Sequence, residues 1–452
     1  MSTPALRVSV AQLAEAPLTF QQQWLWSLLQ KYVDWKCMIA YGFRLLGPLD
    51  VPVLQRSLAE VIRRHASLRT KIVVIAGAPK QQIQDPGEEP LDCIVVVGAS
   101  SAEVEENARR HFSEFSDLKI DPRVDPLLHI KLLKLNEHEH WLLLGVHRLT
   151  GDCFSIDQVL PELWSLYGNV LQGATTLAAD PPQYSDYAIH QQQAHPEWVR
   201  KHDAYWQRRL AGALSLQWPI DDGAAAVPRG ILGRMNGLFG ETLSTGLREL
   251  ARRRRALLAS VVLTVFVGTL YRICRQRDFI VPCFVAGRQS EHKAVVGYFS
   301  HILFLRMELT GSETFSQLLS YASNEFFKAL SHQDFGAMAL NEPHLLEGTF
   351  FQWMTWHPDE GAPHVVPSAQ QDMPLTIERV SLVDFAENVT AIPPGMVDVE
   401  VTFFDTPRGI YASGVYRADL FSPRTMELFI ANLRAAAKDF LYNPEAQVAA
   451  SS

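Results

Sequence analysis

The sequence predicts an α/β protein built as two lobes. Three observations carry that prediction. Strand-length apolar runs alternate with stretches of helical spacing along the chain. Two such series are separated by small-residue and proline-containing segments, Gly173 to Asp180 and residues 211–235. Trp141 to Val146 is an apolar run that ends in a short polar loop, after which Ile156, Val159, Leu160, Leu163 and Leu166 fall on one helical stripe. A loop that leaves a strand and feeds a helix is held still at both ends, which suits it to chemistry.

Composition narrows the function classes. The chain has 452 residues, 47% hydrophobic and 20% charged, a globular balance with room for a sizeable core. A net charge of −8 argues against general nucleic-acid binding. Arg252 to Arg255 precedes an apolar helix and reads as a solvated helix end. The five cysteines, Cys37, Cys93, Cys153, Cys274 and Cys283, form no Cys-x-x-Cys pair, so neither a zinc cluster nor a disulfide framework is expected. No signal pattern opens the chain. The most apolar run, Leu257 to Tyr271, is shorter than the roughly 20 residues that span a bilayer. The expectation is a cytoplasmic monomer with no metal, nucleic-acid or membrane partner.

Residues 1–16 carry little signal and read as a leader. A helix starts after Pro17, with Thr19 as cap and Trp24 and Leu28 on one face. Met38 to Leu46 reads as a strand. Pro48-Leu49-Asp50 opens a helix carrying Val53, Leu54, Leu58, Val61 and Ile62, which ends at Arg64-His65-Ala66-Ser67-Leu68-Arg69-Thr70. Lys71 to Ile75 and Gln81 to Ile83 flank a turn at Gly77-Ala78-Pro79 and predict a hairpin. Cys93 to Val97 is a strand, Val104 to Phe115 an amphipathic helix, and Leu128 to Leu135 the hairpin partner of Trp141 to Val146. The second lobe begins near Met235. Helices from Ser244 and after Leu257 precede a strand at Phe279 to Val285, and a helix from Pro423 to Leu441 closes the chain.

The loop His147-Arg148-Leu149-Thr150-Gly151-Asp152-Cys153 resembles the core motif of the condensation domains of nonribosomal peptide synthetases, His-His-x-x-x-Asp-Gly, with Arg148 in place of the second His and Cys153 in place of Gly. Other stretches resemble that family's motifs in the same order. They are Pro17 to Trp26 (Trp24 where Arg is usual), Arg64 to Thr70, Tyr184-Ser185-Asp186-Tyr187-Ala188, Tyr205-Trp206 and Leu216 to Asp221. Val285 to Arg288, Val296 to Arg306 (His301 for Asn), His332-Gln333 (followed by Phe335-Gly336 where Pro-Phe is usual) and Tyr416 to Phe421 continue the series.

The resemblance implies two lobes like chloramphenicol acetyltransferase, forming a V-shaped pseudo-dimer around a central tunnel with the core motif midway. It divides the chain into a leader (1–16), an N-terminal lobe with the motif (17–175), a linker and crossing segment (176–235) and a C-terminal lobe (236–452). With no adenylation or carrier domain following the last helix, a free-standing domain is expected. The implied reaction moves an acyl group from a thioester to an amine or alcohol. No bound cofactor is implied; the substrate arrives on the phosphopantetheine arm of an acyl or peptidyl carrier protein, and a second carrier or a tailoring enzyme is the further partner. X-domains of glycopeptide synthetases, which recruit tailoring oxygenases, also carry His-Arg here, with a second Asp where Cys153 stands. A non-catalytic docking module is therefore the alternative to an acyltransferase.

Each candidate residue carries two readings. His147 is a substitute base, or a buried ring that bonds the backbone. Arg148 cannot accept a proton near neutrality; it holds an anion or developing oxyanion, or fills the tunnel as an ion pair. Asp152 is a catalytic carboxylate, or the anchor of a salt bridge to Arg69 or Arg288. His301 and His357 are displaced bases, or histidines without a role. Trp353 and Trp356 line an acyl pocket, or are core. Cys153, Ser155, His301, Trp353 and Trp356 are assigned to the substrate tunnel, Ser155 and Thr150 also as caps of the following helix.

Overall fold

Short-range chemistry sets most element ends. The computed structural model describes residues 15–87, 91–173, 179–193, 196–221, 232–333, 343–354, 374–380, 393, 396–406 and 408–449. β1 (Glu15–Pro17) leads into α1 (Phe20–Lys31), where Gln22 N donates to Thr19 Oγ1 at 3.1 Å and Thr19 N to Gln22 Oε1 at 2.9 Å, a reciprocal capping box. β2 (Met38–Leu46) is followed by α2 (Val51–Arg64), capped by Asp50. The hairpin of β3 (Thr70–Ile75) and β4 (Ala78–Ile83) turns through Ala76 and Gly77, both at positive φ. β5 (Asp92–Val95), α3 (Ser101–Ser116), β6 (Leu128–Asn136), β7 (Glu139–His147), α4 (Cys153–Leu171), α5 (Tyr184–Gln192) and α6 (Pro196–Leu210) follow. The later elements are β8 (Leu232–Leu238), α7 (Glu241–Arg254), α8 (Leu258–Cys274), β9 (Asp278–Val285), β10 (His301–Glu308), α9 (Phe315–Leu330), β11 (Thr349–Met354), β12 (Thr376–Val380), β13 (Val399–Thr406), β14 (Gly409–Arg417) and α10 (Pro423–Tyr442).

The described residues fall into two compact units. One lies within Met1–Ala194, Arg288–Ser300 and Pro358–Val389, the other within His195–Gly287, His301–His357 and Thr390–Ser452. Division at residues 175 and 236, as read from the sequence, does not reproduce this pattern, because Arg288–Ser300 and β12 belong with the first unit.

In the first unit a five-stranded sheet runs β12-β2-β7-β6-β5, beside a three-stranded sheet β1-β4-β3. β7 is central and covered on both faces, which explains its unbroken apolar run. Trp141 and Leu143 pack with Met38, Ala40, Phe112 and Phe115 under α3, and α2 lies along α4. In the second unit a six-stranded sheet runs β10-β9-β11-β13-β14-β8. Its helix α8 is apolar because nearly all of it is enclosed by the other elements of that unit. Among the described residues no single helix is long and apolar enough to cross a membrane.

Among the strands that were not read from the sequence, three have a sequence that conceals them. Glu15 and Ala16, read as leader, pair with Gln82 and Gln81. Residues 232–235, read as part of the crossing loop, belong to β8 and pair with β14. β12 is a five-residue edge strand with Glu378 and Arg379 at its centre, a charge content that hides a strand but suits an exposed edge.

Candidate functional site

β7 delivers His147 as its last residue, opposite Met38 of β2. The chain turns at once and begins α4 at Cys153. The Arg148 N–H donates to Cys37 O at 2.9 Å, the Thr150 N–H to His147 O at 2.9 Å, and Gln22 Nε2 to Leu149 O at 2.7 Å. Space requires Gly151, since a Cβ there would lie 2.6 Å from Val146 Cγ1.

His147 has no exposed surface. Its Nδ1 accepts the Leu149 N–H at 3.2 Å, which assigns the ring proton to Nε2. Nε2 is buried without a hydrogen-bond partner among the described residues. Burial first, and then the charges of Arg148 and His129, push the imidazole pKa down to about 3. A ring that is neutral, with its lone pair engaged, offers a donor and not a base. Arg148 is half-buried, and its charge opposes the upward push of burial on the Cys37 and Cys153 thiols and the Tyr298 hydroxyl.

Asp152 is 1% exposed and fully engaged. Oδ1 accepts from Arg288 Nη2 at 2.7 Å, Ser155 N at 3.0 Å and Ser155 Oγ at 2.9 Å. Oδ2 accepts from Phe299 N at 3.1 Å, Ser300 N at 3.2 Å and Ser300 Oγ at 3.2 Å. Asp152 therefore caps α4 and ties it to the 288–300 segment. Arg288 also donates to Val295 O at 2.5 Å, and its guanidinium lies 4.4 Å from the Phe299 ring centre. Tyr184 locks the same segment by donating to Tyr298 O, and a Cβ at Gly297 would come within 2.1 Å of its ring. Of the two arginines considered as Asp152's partner, Arg288 fills the role. Arg69 does not: it ends the 3-10 turn Ala66–Arg69 just before β3, and its Nη1 donates to the Gln84 carbonyl beyond β4.

A second polar group adjoins the motif. Asp157, one turn into α4, has its carboxyl pushed up to about 6 by burial, with Arg379 opposing and Asp152 adding to the shift. Arg379 of β12 lies with its guanidinium 4.4 Å from the Tyr41 ring centre. Tyr41 of β2 and Cys153 perturb each other, and burial pushes the Cys153 thiol up. Cys153, Asp157 and Arg379 each keep some exposed surface although burial dominates their titration.

Residues 12–452 match the family described as the condensation domain. The chain belongs to the condensation-domain family. One of the proteins that make up the linear gramicidin synthase of Brevibacillus parabrevis is 31% identical over 435 residues, which is 94% of this chain but 8% of that protein. Phosphinothricin tripeptide synthetase PhsB of Streptomyces viridochromogenes is 30% identical over 338 residues, 74% of this chain and 28% of that protein. The chain thus spans a minor part of the curated relatives it matches. Among solved structures, the complex of the X-domain and OxyB from teicoplanin biosynthesis matches 99% of this chain and 98% of that one at 21% identity, with a TM-score of 0.80. The condensation domain from the monacolin K polyketide synthase MokA matches 96% of this chain and 99% of that one at 18% identity, with a TM-score of 0.80. These likenesses show the fold: this condensation domain has the chloramphenicol-acetyltransferase-like α/β architecture.

The remaining candidates are dispersed. Ser155 sits at the Asp152 cap. His301 opens β10 in the second unit, 1% exposed and opposite Val285. Trp353 is on β11 of that unit, half-buried opposite Phe403. Trp356 and His357 lie outside the described residues. Tyr41, Asp157 and Arg379 were not singled out from the sequence of this condensation domain. The available signal was an Asp on a predicted apolar helix followed four residues later by Pro161.

Proposed function

We propose that this condensation domain binds a carrier protein of a nonribosomal peptide assembly line and serves there as a docking site for another enzyme, without general-base catalysis from its motif. The observation that carries this reading is the state of the motif's three polar side chains. His147 has its lone pair bonded to Leu149 N–H, Arg148 stays protonated, and the Asp152 carboxylate is filled by six contacts. The fold shared with an X-domain solved together with OxyB supports the same reading.

A second reading is favoured by Asp157. A carboxyl near pKa 6 beside the motif is ionised at neutral pH and able to take a proton from an incoming amine. In that reading the amine nitrogen bonds to the thioester carbonyl carbon, the C–S bond breaks, and the phosphopantetheine leaves as a thiol with an amide as product.

Intact-mass analysis separates the two. A carrier protein loaded with an acyl-phosphopantetheine is incubated with a panel of amines and the native domain, Arg148→His or Asp157→Asn. Carrier binding without turnover by the native domain supports docking, and activity gained in Arg148→His then identifies Arg148 as the block. Amide formation by native protein that falls in Asp157→Asn establishes the transferase reading instead.

A further inference from the structure

At the end of α9 two histidines meet edge to edge. His202 lies in α6 and is 5% exposed, and His332 follows the last turn of α9, both in the second unit. Their Nδ1 atoms are 3.0 Å apart. In a hydrogen bond between two such nitrogens one carries a proton and the other offers its lone pair, so at least one ring is neutral. α6 holds His332 in two further ways. The Tyr205 ring stacks on the imidazole, with ring centres 3.8 Å apart and planes 2° from parallel, and Trp206 Nε1 donates to His332 O at 3.1 Å. Burial first, and then the charges of His202, Lys201 and Arg208, hold the His332 pKa below the ordinary 6.5. The carboxylates that α6 meets on β10 and α9, Glu308 and Glu325, are bound by Arg209. The Tyr205 hydroxyl, pushed up to about 12 by burial, stays neutral.

We propose that this histidine pair is a proton-operated latch, closed by one shared proton and opened by further protonation, which drives the rings apart and frees the end of α9 from α6. One added proton leaves an imidazolium facing an imidazole and keeps the hydrogen bond. A second sets two N–H groups and two positive charges against each other across 3.0 Å, and Lys201 and Arg208 add to the repulsion. The direction of the switch follows from the folded protein's weaker hold on the proton. With the His332 pKa below 6.5, the unfolded chain takes up the proton first, so the latch is at full strength above pH 6.5 and weakens as the pH falls below it. The device belongs to the second unit and depends on neither reading of the motif.

The test is amide hydrogen exchange of the full chain, read by mass spectrometry on either side of pH 6.5 and corrected for the intrinsic pH dependence of exchange. The His332 and Gln333 amides, which bond to Ala329 O and Leu330 O, report on the end of α9. Their corrected exchange is expected to rise at least about fivefold on acidification, while peptides from α8 change less than about twofold. In His202→Gln and His332→Gln one titratable ring remains, and the rise is expected to vanish. Melting curves show which variants fold, and either one suffices. If neither folds, the imidazole shifts of the native protein decide: two protonation steps more than about one pH unit apart support the latch, and one common step overturns it. An unchanged corrected rate in the native protein, an equal rise in α8, or a rise that a folded variant shares in full also overturns it.

Discussion

Asp152 and Asp157 stand five residues apart on one helix and live in opposite conditions. Asp152 caps α4 with both oxygens filled, one of its donors the Arg288 guanidinium. Asp157 is burdened by burial, is opposed in this by the Arg379 charge, and has its pKa raised to about 6. The same carboxyl is a structural anchor where the fold supplies donors and a group of raised pKa where it does not. The difference lies in segments far away in sequence, Arg288–Ser300 and β12, and not in the helix itself.

The largest effect expected is at the anchor. Asp152→Ala leaves the Arg288 charge buried without its carboxylate and should cost about 3–5 kcal/mol, read as a lowered melting temperature and lost near-ultraviolet circular dichroism. A native melt in that variant would remove the distinction between the two aspartates.

His147 supplies a smaller, pH-dependent effect. Its folded pKa of about 3 lies below the ordinary 6.5, so the unfolded chain takes up the proton first. Its contribution is complete above pH 6.5 and is lost as the pH falls from there toward 3. At pH 5 the loss should reach about 2 kcal/mol, and denaturant midpoints compared between native and His147→Asn at pH 5 and pH 8 should show the native protein losing more. Equal losses in both would mean the ring is not the neutral, engaged group described.

The smallest effect carries the opposite sign. Asp157 has a folded pKa of about 6 against an ordinary 3.8, so its ionisation opposes folding and the penalty grows as the pH rises through 6. Asp157→Asn should stabilise the protein at pH 8 by about 1–2 kcal/mol, after allowance for its partial exposure, and should change little at pH 4. Destabilisation at pH 8 would place Asp157 among the structural carboxylates and collapse the comparison.

Much of the fold was readable one segment at a time. Met38–Leu46 and Asp278–Val285 declare themselves by apolar strand-length runs, and Thr19 and Asp50 by cap chemistry that acts over three residues, whereas the cap of α4 proved to be Asp152 in place of the expected Thr150 or Ser155. β1, β8 and β12 were not readable, because each is short or polar and is a strand only through its partner. The motif told the same story. Its sequence located the loop, marked Arg148 as the departure from the family pattern, and limited Asp152 to two partners.

Local sequence therefore determined the α/β class, the element starts and the place of the motif, since caps, turn residues and hydrophobic periods act between near neighbours. Tertiary structure alone decided that Arg288 rather than Arg69 holds Asp152, that His147 spends its lone pair on the Leu149 amide, and that Asp157 is buried within reach of the Arg379 charge. Charge, burial and hydrogen bonding are set by what surrounds a side chain in space, and the segments that surround these residues are separated from them by up to more than two hundred positions in the chain.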